Sequence, residues 1–185
     1  LNIVSKLEYD SQPMNIEAIQ VVPFARGIVA DYLNAGIDAQ YELEFFDTPA
    51  VQDCTIQGDE RLLRRAVRNL IDNAMRHNGE GCKIALSLDV EPSSMLAITV
   101  ADNGRGCDTS RMAALMSQAS TPDASYDAHG LGLTLVSRIS IMHGGYVSFA
   151  SEPGRGFTAT MRIPTAIPQN EPPRRERRES QANVR

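Results

Sequence analysis

"LAITVADNGRGCD", Leu96 to Asp108, decides how this chain is read. Leu96, Ile98 and Val100 alternate as they do on a half-buried strand. The strand then ends on a carboxylate, Asp102, followed by Asn103-Gly104-Arg105-Gly106. A charge at the end of a buried strand is costly unless something donates to it. An exocyclic amine on a purine ring is such a donor, and glycines at 104 and 106 let a backbone approach a ligand closely. The same letters also spell an Asn-Gly hairpin turn. Against that turn, Asp108 to Met116 reads as helix and not as a returning strand.

Working outward, "NIEAIQV" reads as a short strand, and Pro23 suits the first turn of a helix that runs to about Asn34 and stops at Gly36. "AQYELEFF" places Tyr41, Leu43 and Phe45 on one face of a second strand. A weaker strand is expected around Cys54 to Ile56. Gly58-Asp59 opens a long helix to His77, closed by Asn78-Gly79. "KIALSLDV" and "MLAITVAD", joined by Glu-Pro-Ser-Ser, form an antiparallel pair. Residues 108–117 read as helix, 118–130 as a long loop and 131–143 as a helix ended by Gly144-Gly145. "YVSFASE" and "GFTATMRI" make a final hairpin. The order predicts an α+β fold: a two-layer sandwich with a mixed, mostly antiparallel sheet and three main helices on one face.

The long helix, "RLLRRAVRNLIDNAMRHN", puts Leu63, Val67, Leu70, Ile71 and Ala74 on its core side at 100° per residue. Asn69, Asn73 and Arg76 fall within an arc of about 60° beside that face. Two amide oxygens and a guanidinium on one strip suit a hard cation and phosphate oxygens, since magnesium needs only one or two protein oxygens. A solvated helix face accounts for the same three residues. Asparagine is a poor helix former, however, and two in mid-helix need a reason. Downstream, "HGLGLTLVSRISIMHGG" sets Gly130 and Gly132 at the mouth of a helix, where backbone N–H groups make an anion site. "EPGRGFTATMRIP" adds Gly154, Gly156 and Thr158, which also read as an ordinary hairpin.

Together and in this order, the Asn-rich helix, the strand-end Asp-x-Gly-x-Gly, the Gly-x-Gly helix mouth and the Gly-x-Gly-x-Thr hairpin resemble the N, G1, G2 and G3 boxes of the GHKL family of ATP-binding domains. The resemblance covers about residues 15–164. Members that hydrolyse ATP, and the anti-sigma kinases, carry a glutamate where this chain has Asn69. Asn-x-x-x-Asn followed by Arg76-His77 is similar to the sensor histidine kinase form. "SKLEYDSQP" resembles the end of the dimerisation helix that precedes such domains.

The resemblance implies roles. Asn73 would supply the magnesium oxygen, with Asn69 beside the phosphates. Arg76 would contact the terminal phosphates, and His77 would border the nucleotide. Asp102 would accept from the adenine amino group in a pocket shaped by Gly104 and Gly106. Residues 118–130 would form a lid, and His129, Gly130, Leu131, Gly132, Leu133 and Thr158 complete the expected ATP site. The cofactors implied are ATP and Mg2+. No residue of the chain is expected to act chemically beyond positioning ATP. Two departures stand out: 111–130 holds no phenylalanine where many histidine kinases have an aromatic box, and Met112 to Leu133 holds no lysine or arginine.

The function implied is the catalytic domain of a two-component sensor histidine kinase. It would transfer the γ-phosphate to a histidine on a dimerisation domain outside this chain, whose histidines are His77, His129 and His143. A GHKL ATPase, an anti-sigma-type serine kinase and a non-catalytic nucleotide-binding module are the alternatives. Expected partners are that dimerisation domain and a response regulator, with this fragment a monomer. The domain plan is 1–14 as helix end and linker, 15–164 as the ATP-binding domain and 165–185 as a disordered tail.

Composition agrees with these expectations. Of 185 residues 42% are hydrophobic, enough for a core. Net charge is −5 overall, and five arginines against three acids from Thr165 onward leave residues 1–164 at −7. An acidic body does not read as a nucleic-acid binder. Cys54, Cys82 and Cys107 form no CxxC pair, which argues for a reducing compartment. No apolar run reaches the roughly 20 residues of a membrane span and no signal-peptide pattern opens the chain, so a cytoplasmic location is expected, under a parent kinase anchored in a membrane or not.

Overall fold

The computed structural model describes residues 13–108, 110, 112–113 and 131–166. The expected lid, residues 1–12, the tail from 167 onward and most of the expected helix at 108–117 lie outside the described residues. In chain order the elements are β1 (Glu17–Gln20), α1 (Val21–Ala35), β2 (Tyr41–Asp47), β3 (Thr55–Gly58), α2 (Glu60–His77), β4 (Cys82–Glu91), β5 (Met95–Asp102), α3 (Leu131–Met142), β6 (Tyr146–Ser151) and β7 (Phe157–Pro164). A single 3-10 turn at Pro49–Val51 separates β2 from β3.

Five strands form one sheet in the order β2-β4-β5-β7-β6. Only β2 and β4 run parallel, with Leu43 opposite Ile84. The remaining ladders are antiparallel, among them Leu86 opposite Val100 and Ile98 opposite Met161. Strands β1 and β3 pair separately, Ile19 opposite Ile56, as a two-stranded ribbon. Alternation then does the layering. Ile84, Leu86 and Leu88, with Leu96, Ile98 and Val100, and Ala159, Met161 and Ile163, are all buried on one face. Ser87, Thr99 and Thr160 take the other face, where the two threonine hydroxyls meet at 3.1 Å.

Helices α1, α2 and α3 cover the buried face: α1 contacts β2, α2 contacts β4 and β5, and α3 contacts β6 and β7 as well as α2. Helix α2 buries Leu62, Leu63, Ala66, Val67, Leu70, Ile71 and Ala74, which includes every core position expected from its wheel. Its first turn is capped by Asp59, whose Oδ1 accepts from the Leu62 amide at 3.1 Å. Helix α1 ends at Gly36 in the left-handed conformation, φ +77°, as a C-terminal glycine should. The fold is thus the α+β sandwich with three helices on one face.

Residues at both borders of the described region are tied to the body of the fold. The Asn15 amide donates to Asp59 Oδ2 at 3.1 Å, and Met14 packs against the core. At the other border the Thr165 and Ala166 amides donate to Ser94 O and Thr55 O at 3.0 and 2.8 Å.

Candidate nucleotide site

The C-terminal half of α2, the end of β5, the start of β7 and α3 enclose a cavity of about 720 Å³, counted with its open mouth. Its walls are mostly apolar: Leu70, Ala74, Val100, Leu133, Phe157 and Ala159. The polar groups that face it are Asn73, His77, Asn78, Asp102 and Arg105. A mostly apolar cavity with a few polar groups on its wall suits a purine ring, which is hydrophobic on its faces and polar at its edge.

Asp102 is held from its own side of the cavity. Its Oδ1 accepts from the Gly104 amide at 2.9 Å and from Asn78 Nδ2 at 3.1 Å. Among the described residues nothing donates to its other oxygen, Oδ2. Beneath it, the Cys82 thiol is pushed up in pKa by burial and by the nearby Asp102 charge. Asn78, expected only to stop the helix, is buried and bonds in three directions. Besides Asp102, its Nδ2 donates to Ala74 O at 2.9 Å, and its Oδ1 accepts from the Arg105 amide at 3.0 Å. Asn-Gly is a turn signal, and nothing local in the sequence separates that role from this one.

The glycines after Asp102 make room chiefly for protein. A Cβ on Gly104 would collide with the Asn78 amide. Gly106, φ +62°, lines the cavity, but a Cβ there would strike the Glu152 carbonyl. A Cβ on Gly156, φ +87°, would likewise strike the Asp102 carbonyl. Gly154 N donates to Arg105 O at 2.8 Å, and Ser151 Oγ bridges the Cys107 amide (2.9 Å) to Gly156 O (2.7 Å). The loop after β5 and the β6–β7 hairpin are therefore one interlocked unit, and that interlock fixes the base of the cavity.

At the other end, Gly132 in α3 faces both asparagines. A Cβ there would stand 3.0 Å from Asn73 Nδ2, 3.2 Å from Asn73 Oδ1 and 3.4 Å from Asn69 Oδ1. Asn69 Nδ2 donates to Arg65 O at 2.8 Å, which turns its oxygen toward that gap. Two hard amide oxygens beside a glycine at a helix start fit a magnesium ion that keeps water and phosphate in its shell. Among the described residues no group of three or more His, Cys, Asp or Glu side chains offers a competing metal site.

The remaining expected residues divide. His77 and Leu133 line the cavity. Arg76 is exposed in the last turn of α2 and does not line it. Leu131 begins α3, its side chain outside the description, and His129 and Gly130 lie outside the described residues. Thr158 is a correction. On β7 the parity that brings Phe157 and Ala159 to the cavity turns Thr158 to the opposite face with Thr160, so Phe157 takes the wall position instead. His143 is structural: buried, its Nδ1 donates to Ile139 O at 2.7 Å and its Nε2 accepts from the Asp59 amide at 3.0 Å.

Among the described residues no helix is long and apolar enough to cross a membrane. Comparison with known proteins agrees with the geometry. The chain is 26% identical over 165 residues to the sensor histidine kinase YvrG of Bacillus subtilis, covering 87% of this chain and 28% of the relative. It is 40% identical over 93 residues to the sensor protein BasS of Escherichia coli, covering 50% of this chain and 25% of that one. It therefore spans between a quarter and a third of the length of these relatives. Among solved structures, full-length ShkA in complex with AMPPNP superimposes with a TM-score of 0.70 at 23% identity, over 84% of this chain and 32% of ShkA. The catalytic domain of the histidine kinase ThkA gives 0.67 at 18% identity, over 82% of this chain and 96% of the other. The family model described as histidine kinase-, DNA gyrase B- and HSP90-like ATPase matches residues 58–167, from the strand before α2 through the final hairpin. With both asparagines, Asp102 and the interlocked glycine loops inside that span, this chain belongs to the histidine kinase-, DNA gyrase B- and HSP90-like ATPase family.

Proposed function

We propose that the chain is the ATP-binding catalytic portion of a sensor histidine kinase. In this reading the adenine lies in the apolar slot with its amino group on Asp102 Oδ2. The triphosphate runs along α2 to Asn69, Asn73 and the start of α3. Bound there, magnesium would draw charge from the phosphate oxygens. Asn73 and Asn69 are the side chains that would hold it.

One observation carries the choice of kinase over hydrolase. Among the described residues the only carboxylate lining the cavity is Asp102, at its base end. The acids of α2 are engaged elsewhere, Glu60 with Arg64 at 2.8 Å and Asp72 with the Tyr32 hydroxyl. At the phosphate end Asn69 stands where a hydrolase needs a general base, and an amide cannot take a proton from water. ATP bound there is positioned and left intact until a nucleophile arrives from outside.

That nucleophile is proposed to be a histidine on a dimerisation domain, with a response regulator as the next acceptor. His77 lies on the helix beneath the nucleotide, and His143 has both ring nitrogens engaged in the core. Incubation with γ-labelled Mg-ATP should leave this chain unlabelled and label an added histidine-bearing dimerisation domain. Phosphate on this chain alone, or steady ATP hydrolysis without an acceptor, overturns the assignment.

A further inference from the structure

A carboxylate does not by itself select adenine. It accepts as readily from the guanine N1–H and 2-amino edge as from the adenine 6-amino group, provided it is free to turn toward either. Discrimination requires that the carboxylate be held in one orientation, so that a single donor, in a single direction, meets its free oxygen.

The structure supplies such a restraint at a residue that the ATP-site reading does not use. Asn78 donates one amide hydrogen to Asp102 Oδ1 at 3.1 Å and the other to Ala74 O at 2.9 Å. Its oxygen accepts from the Arg105 amide at 3.0 Å. Nδ2 faces two acceptors and Oδ1 faces a donor, so only one orientation of the amide satisfies the network. The side chain is 8% exposed, with almost no water to substitute for these partners. It ties three separate pieces of chain together: the last turn of α2, the end of β5 and the loop that follows. Gly104 is part of the same device. A side chain there would occupy the space of the Asn78 amide, and its backbone N–H is the second donor to Asp102 Oδ1 at 2.9 Å.

We infer that Asn78 is a positioning residue that sets purine specificity: it locks the Asp102 carboxylate so that Oδ2 meets the 6-amino group of adenine and cannot turn to the guanine edge. This rests on the proposed ATP-binding reading. Asn78 touches the carboxylate, and through it selects the base.

The test uses the whole chain and two variants. Asn78→Asp is nearly isosteric. It keeps an oxygen for the Arg105 amide and places a second oxygen against the Ala74 carbonyl and the Asp102 carboxylate, expelling Asp102 from its orientation. Asn78→Ala removes the restraint without repulsion. ATP and GTP affinities are measured by calorimetry, with magnesium and inorganic triphosphate as a probe lacking a base. The wild type should prefer ATP, and both variants should lose that preference by about tenfold or more, through weaker ATP and unchanged or tighter GTP. Triphosphate binding should hold within about twofold, the size of change expected where no contact is touched. General loosening of the fold weakens both nucleotides together and leaves their ratio alone, so the ratio separates positioning from simple stability. If the wild type prefers ATP and both variants keep the ratio, the inference about Asn78 fails while the ATP-site reading stands. Equal ATP and GTP affinity in the wild type overturns both.

Discussion

Replacing Gly132 with alanine should separate metal–nucleotide binding from folding. Gly132 lies in α3 and is not among the glycines with positive φ, so alanine can adopt its backbone. The helical gain from glycine to alanine is up to about 1 kcal/mol. Against it stands the new methyl, 3.0 Å from Asn73 Nδ2 and 3.2 Å from Oδ1. Relaxed contacts lie at about 3.5–4.0 Å, so the amide must retreat by roughly half an ångström, an off-rotamer cost of about 0.5–1.5 kcal/mol. The two terms nearly cancel, and the melting temperature should move by no more than about 4 °C. Binding has no such offset. Magnesium demands near-ideal geometry at about 2.0–2.1 Å, so a displaced amide oxygen loses its place in the shell. Mg-ATP should weaken by roughly 10- to 100-fold, about 1.4–2.8 kcal/mol, while metal-free adenosine changes little. Calorimetry with each ligand beside a thermal melt reads all three quantities. Undiminished Mg-ATP affinity would refute the placement of the triphosphate beside the asparagines. A loss shared equally by adenosine would show that the methyl disturbs the whole cavity.

Asn73→Ala should weaken Mg-ATP on the order of 100-fold with far less effect on metal-free adenosine, and equal loss in both titrations removes Asn73 from the metal. Asp59 is pushed up in pKa by burial, yet the Asn15 and Leu62 amides and the Arg61 guanidinium more than offset this and hold it below the usual carboxylate value. Its stabilisation is therefore complete above the unfolded value of about 3.9 and is lost as pH falls through the lower folded value. Asp59→Asn should cost about 1 kcal/mol near neutrality and flatten the loss of stability in acid. Urea melts at descending pH measure this, and parallel curves for the two proteins contradict it.

What the sequence made legible is what short-range periodicity encodes. The wheel of α2 placed its core face and its two asparagines, and alternation on β5 placed the buried face of that strand. The glycine stops at Gly36 and Gly144 marked real helix ends. The sequence was silent where a residue's partner lies far along the chain. Asn78 carries the letters of a turn, and its work depends on the loop after β5 coming within hydrogen-bonding distance, 24 to 27 residues away. The family resemblance implies Thr158 in the ATP site, and no local signal in the sequence tells which way its side chain faces. Strand parity is set by how β7 pairs with β5, where Ala101 meets Thr158 and Val100 meets Ala159, and that register puts Phe157 in the wall. Gly104 and Gly106 read as openings for a ligand, yet each fits against another part of the chain, Asn78 and Glu152. The separate β1–β3 ribbon likewise arises from a pairing between distant segments.

In the proposed function the cavity between α2, β5, β7 and α3 holds an adenine nucleotide with its base on Asp102 and its phosphates on the asparagines. A structure determined with magnesium and a non-hydrolysable ATP analogue tests this most directly. The adenine amino nitrogen should lie about 2.9 Å from Asp102 Oδ2, and the phosphates beside Asn69, Asn73 and the start of α3. A base bound elsewhere, or a base in the cavity whose amino group faces away from Asp102, would contradict it.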